Sequence, residues 1–107
     1  MIAMVETEQF EFGFDDETKL EAKFQEFHRE NPRVYAALKE KALQLRGRGW
    51  NRYGIKAIME VVRFHRALET TDPDFKLNNN YSSRYARMLM AQEPELIGFF
   101  EIRELKS

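Results

Sequence analysis

Apolar residues recur along this chain at two periods, and the change from one to the other divides it. Phe10, Phe12 and Phe14 alternate with Glu11 and Gly13. Period two is the signature of extended backbone, so residues 1–14 are expected to form an edge strand or an extended arm. An isolated strand is unstable, so such an arm needs a sheet edge or an apolar groove to lie in. From Leu20 the spacing changes. Leu20, Phe24 and Phe27 stand four and three apart, which predicts one face of a helix ending near Glu30. Asp15 and Asp16 precede it as candidate N-caps.

Asn31-Pro32 punctuates the chain. Asparagine caps well, proline is tolerated at the first helical position, and the residue before proline disfavours helix. A second helix is expected from Pro32 to about Arg46, burying Val34, Leu38, Ala42 and Leu45 and ended by Gly47 and Gly49. Trp50 to Tyr53 reads as a short strand. Gly54 then opens a third helix, with Ile55, Ile58, Met59 and Val62 on one face. Ala57, Val61, Phe64 and Leu68 widen that face, leaving Lys56, Glu60, Arg63 and Arg66 for solvent. A helix apolar over most of its circumference is expected at the centre of a fold.

Asp72-Pro73-Asp74 marks a turn, and Asn78, Asn79 and Asn80 can each cap a fourth helix from Tyr81 to Gln92. Pro94 closes that helix, Gly98 interrupts the chain beyond it, and Phe99 to Leu105 alternates as a closing strand. The expected fold is mainly α: a compact four-helix domain over residues 15–107, with short β-strands and a winged helix-turn-helix-like arrangement. In that arrangement Trp50–Tyr53 would pair with Phe99–Leu105, and Tyr81–Gln92 would be the recognition helix. The long connection from Leu68 to Asn80 departs from the usual short turn.

Length and composition narrow the chemistry. The chain has 107 residues, enough for a single domain. With no cysteine, disulfides, zinc–thiolate sites and cysteine nucleophiles are excluded. No apolar run approaches the ~18 residues of a membrane span, and Met1–Val5 lacks the flank of a signal peptide. A cytoplasmic protein without a membrane partner is expected. His28 and His65 lie on different helices, and no phosphate-loop, dinucleotide or nucleophile-elbow motif occurs. The expectation is therefore a non-enzymatic protein without catalytic residues, cofactor or metal.

The net charge of −1 conceals a partition. Residues 1–31 carry nine acids and three bases, residues 32–66 two acids and nine bases, and residues 67–107 seven acids and five bases. A basic middle can face a nucleic acid or an acidic partner. Arg46, Arg48 and Arg52, interleaved with glycines and with Trp50 and Tyr53, could approach a phosphate backbone closely, and Lys56 extends the patch. On the fourth helix Asn80, Ser83, Arg84 and Arg87 are the residue types that read base edges and hold phosphates. The competing expectation is that the arginines near the second helix's C-terminus serve its dipole, the asparagines cap, and Arg84 and Arg87 pair with Glu93, Glu95 or Glu101.

Four motifs also carry a resemblance. They are Phe27-His28-x-x-Asn31-Pro32-x-Val34-Tyr35, Gly54-Ile55-Lys56 with Glu60-x-x-Arg63, Asn79-Asn80-Tyr81-x-x-x-Tyr85-Ala86-Arg87 and Gly98-Phe99-Phe100-Glu101-x-Arg103. Over roughly residues 24–105 the chain resembles small uncharacterised proteins encoded in bacteriophage and prophage genomes, some described as helix-turn-helix. The resemblance implies a regulatory or host-directed role in a bacterial host cytoplasm. Together these features point to a small phage-type regulator binding double-stranded DNA through Arg46, Arg48, Arg52, Lys56, Asn80, Ser83, Arg84 and Arg87. The alternative is a protein-binding module, an inhibitor or adaptor of a host complex, or a self-associating dimer. The near-zero net charge, the acidic N-terminal third and the phenylalanine arm favour that alternative.

Overall fold

The computed structural model describes residues 18–72 and 75–101. The arm of residues 1–14, the Asp15-Asp16 cap and the last residues of the closing segment lie outside them. The described residues hold four α-helices: α1 over 18–30, α2 over Pro32–Gly47, α3 over Ile55–Glu69 and α4 over Ser82–Gln92. Single 3-10 turns at Asn79–Tyr81 and Pro94–Leu96 bracket α4. The chain divides into two compact units, the first ending at Asn31 and the second beginning at Pro32.

In the first unit the face expected of α1 is the face it buries. Phe24 is buried, with Leu20 and Phe27 half-buried. One turn on, the His28 ring stacks on Phe24 at 6.1 Å between centroids. At the C-terminus, the Asn31 backbone N–H (2.8 Å) and side-chain amide (3.0 Å) both donate to the Phe27 carbonyl. That carbonyl is one of the acceptors a helix end leaves open. Asn31, expected to cap the helix after it, directs its side chain back to the helix before it.

The second unit is built around α3, which packs against both α2 and α4. Val34, Leu38 and Ala42 of α2 and Tyr85, Ala86 and Leu89 of α4 are buried with the α3 face, and Leu77, Leu96, Phe99 and Phe100 complete the core. The 3-10 turn at Pro94–Leu96 lies against α2 and α4. Two polar links tie α2 to the end of α4. The Tyr35 hydroxyl donates to Gln92 Oε1 at 2.9 Å, and Lys39 Nζ meets Glu93 Oε2 at 3.2 Å. Partial burial, reinforced by the Glu93 charge, holds the Tyr35 phenol above its usual range.

Gly49 supplies the termination of α2. Its φ of +100° lets its N–H reach the Arg46 carbonyl while the Trp50 N–H reaches back to Leu45, both at 3.1 Å. These two crossed bonds form a Schellman motif, and only glycine adopts the geometry without strain.

The winged arrangement does not form, because no β-strand occurs among the described residues. The two segments expected to pair do meet, through one backbone bond from the Tyr53 N–H to the Phe99 carbonyl at 3.1 Å. They cannot continue as a ladder. Gly98 turns the chain at φ +75°, and the Phe99 N–H folds back to the Leu96 carbonyl at 3.0 Å. Phe99 and Phe100 are then buried in succession, their rings edge-to-face at 5.1 Å, where a strand would send alternate residues outward. Among the described residues of that segment, two adjacent anchors stand where the strand was expected to begin.

Candidate functional site

The third helix buries the core face its sequence suggests but leaves the rest of its apolar surface in solvent. Ile55, Ile58, Met59 and Val62 form its core face as expected. Arg63 and Arg66, expected in solvent, are instead half-buried and hold the loop that comes after the helix. Arg63 donates to the Leu77 carbonyl at 2.7 Å and to Asn79 Oδ1 at 2.6 Å, and pairs with Glu60 one turn back. The Arg66 guanidinium sits 5.4 Å over the Phe75 ring and pairs with Glu69. The loop closes locally through Asp72, whose N–H meets Thr70 Oγ1 and whose carbonyl accepts from Phe75.

The displaced face is apolar. Ala57 is exposed, and Val61, Phe64 and Leu68 keep 45%, 61% and 70% of their surface in water. These four residues succeed one another at spacings of four, three and four, so they form a continuous stripe along the helix. His65 borders the stripe, its ring edge-on to Phe64 at 5.9 Å. Towards the N-terminal end of α3 the stripe runs into a groove of about 350 Å³ lined by Lys41, Leu45, Arg48, Tyr53, Ala57 and Val61. Trp50, half in solvent, stands edge-on to Tyr53 at 5.4 Å. Sequence reasoning merged this stripe with the core face. The signal that separates them is that Ile55, Ile58, Met59 and Val62 already make a complete buried stripe, which leaves the second set on the opposite side.

The residues expected to contact nucleic acid fall into two groups. Around the junction of α2 and α3, Arg46 is consumed by structure: its Nε donates to the Glu95 carbonyl at 3.3 Å, and its Nη1 to the Trp50 carbonyl at 3.2 Å and Asn51 Oδ1 at 2.8 Å. Arg48, Arg52 and Lys56 are exposed, Arg48 on the rim of the groove. At the start of α4, Asn78 caps the 3-10 turn, its Oδ1 accepting from the Asn80 N–H at 2.8 Å. The Asn80 side chain and Arg87 are exposed, whereas Ser83 and Arg84 are half-buried. Of the acids expected to partner Arg84 and Arg87, Glu93 pairs with Lys39. The groove beside α3 is lined by none of the α4 residues, so the structure joins Arg48 to the apolar stripe and not to the fourth helix.

Among the described residues no three His, Asp or Glu side chains converge, and no helix is long and apolar enough to cross a membrane. Compared with known proteins, the chain matches no family model, no curated protein and no solved structure. The resemblance to phage-encoded proteins therefore stands on its four motifs alone.

Proposed function

We propose that this chain is a protein-binding module whose recognition surface is the outward stripe of α3 with the groove beside it. The observation that carries the reading is Val61, Phe64 and Leu68 standing in water on a helix whose opposite face is already packed. Leaving three large apolar side chains in line costs solubility and is rarely retained on a surface that meets only solvent. An aromatic and two aliphatic residues at helical spacing are what one helix offers to a partner's groove. Basic Lys41 and Arg48 lining the groove give it a rim that favours acidic partners.

The test uses the full chain immobilised in a nuclease-treated bacterial lysate, beside a variant carrying Phe64→Glu and Leu68→Glu. Retention of protein that survives nuclease and is abolished by the two substitutions supports the reading. Retention that is insensitive to them, or that disappears with nuclease, overturns it.

A second reading, binding to duplex DNA, rests on exposed Arg48, Arg52, Lys56 and Arg87. Arg46 leaves that set because its Nε and Nη1 are turned onto the Glu95 and Trp50 carbonyls and Asn51 of its own fold. Binding carried by these cations must weaken steeply with salt, by nearly one power of salt concentration per phosphate contact. Fluorescence anisotropy with a duplex at rising salt checks it, and affinity indifferent to salt would remove it.

A further inference from the structure

We infer that the occupant of the α3 stripe is a second copy of the same stripe, packed antiparallel about a two-fold axis between Val61 and Phe64. The inference rests on the protein-binding reading and names its partner. Its basis is the order of sizes along the stripe. The spacing of four, three and four reads the same from either end, so a reversed copy meets it in register. In that register Ala57 faces Leu68 of the second copy, and Val61 faces its Phe64. Each of the four layers joins a small side chain to a large one, which is how facing helices fill space without voids or clashes. A parallel pairing would set alanine on alanine and phenylalanine on phenylalanine, giving a gap at one layer and a collision at another. The residues bordering the stripe raise no conflict: reversed, Glu60 faces Ala67, and His65 faces the flank at Ile58, so no like charges meet.

The area suits a reversible dimer. Counting a whole aromatic side chain as ~200 Å², the exposed parts of Ala57, Val61, Phe64 and Leu68 present on the order of 400 Å² per copy. Two copies would then cover about 800 Å², at the low end of the interface sizes where weak, transient contacts lie. An isologous contact of this kind closes on itself and produces a dimer, with no surface left over for further growth.

Three measurements on the full chain decide between the possible occupants. Sedimentation equilibrium across a wide concentration range is expected to give a monomer–dimer equilibrium. Phe64→Glu should weaken it by on the order of 100-fold, the size of effect seen when a central anchor of an interface is lost. Far-UV circular dichroism of the variant should match the parent, because the site is exposed.

Orientation is read by swapping sizes. Ala57→Leu alone crowds a layer and Leu68→Ala alone empties one, so each should weaken the dimer. The double variant restores a small–large pair in every layer and should recover it. Because the chain has no cysteine, Ala57→Cys and Leu68→Cys can also be mixed in a glutathione buffer, where the mixed disulfide should dominate. Predominance of the two homodimeric disulfides, or no recovery in the double variant, overturns the antiparallel arrangement. A chain that stays monomeric, yet still retains other proteins through Phe64 and Leu68, removes the second copy and leaves the protein-binding reading standing. If the face substitutions change neither association nor retention, both fall.

Discussion

Helices α3 and α4 lie side by side with similar apolar content and spend it differently. On α4, Tyr85, Ala86 and Leu89 make one buried stripe, and the outward positions are Arg87, Ala91 and Gln92. Every large apolar side chain of α4 is at least partly used by the fold. On α3 one stripe is used and a second, of comparable size, is not. The difference lies in what borders each helix. The loop after α3 is drawn onto its polar flank by Arg63 and Arg66, and that arrangement commits the apolar flank to solvent. A helix with one stripe is explained by its own domain, whereas a helix with two opposed stripes needs something outside it.

The comparison requires the inner stripes of the two helices to be equivalent. Ile58→Ala and Leu89→Ala, each removing a buried branched side chain, should both cost about 2–5 kcal/mol in urea unfolding. A loss below about 1 kcal/mol at either would show that its helix is not part of the core.

The next largest effect should come from the arginine that sets the loop. Arg63 makes charge-assisted bonds to Leu77 and Asn79, so Arg63→Ala should lower stability by about 1.5–3 kcal/mol, the range for bonds to charged groups. Hydrogen exchange in that variant should accelerate over residues 70–79 more than within α4.

On the α4 side, Gly98 holds a φ of +75° with open space where a side chain would begin. Gly98→Ala therefore meets strain and no clash, and should cost about 1–2 kcal/mol, the penalty for left-handed backbone in an L-residue. Thermal melts measure it.

Tyr85 distinguishes α4 by pH. Burial, reinforced by Tyr81, raises its phenol well above the usual 10.0. Above that pH the folded chain keeps a proton that the unfolded chain has lost. The contribution is therefore fully present below about pH 10 and declines as the pH climbs toward the folded value. Tyr85→Phe should flatten the fall of stability above pH 10 relative to the parent, and an unchanged slope would contradict the assignment.

How far the sequence carried these conclusions differs by element. The boundaries of α2 and α3 and the end of α4 come from Pro32, Gly54 and Pro94, because capping and termination are local, whereas the asparagines cap a 3-10 turn ahead of α4 and not α4 itself. Val34, Leu38, Ile55, Ile58, Met59, Val62 and Leu89 are buried as their helical periodicity predicts, and Phe100 is buried on a turn where a strand was expected. The wing was misread because Phe99–Leu105 alternates in composition, while Gly98 and the bond from Phe99 to Leu96 impose a turn that periodicity does not register. The outward stripe of α3 was hidden for a related reason. Which flank of a doubly apolar helix stays bare depends on where a distant loop lies, and that was set by Arg63 reaching sixteen residues ahead to Asn79. Arg46 shows the same limit: its glycines and aromatics suggested a phosphate site, but its partners Trp50, Asn51 and Glu95 only become neighbours in three dimensions.

Phe64 and Leu68 must belong to a surface and contribute nothing to the core if the outward stripe is a recognition face. Urea unfolding of the Phe64→Glu, Leu68→Glu double variant, at concentrations low enough to keep the parent monomeric, measures this directly. The predicted unfolding free energy lies within about 1 kcal/mol of the parent, as substitutions at exposed positions usually do. A loss of about 3 kcal/mol or more, matching Ile58→Ala, would place these side chains inside the fold and contradict the claim.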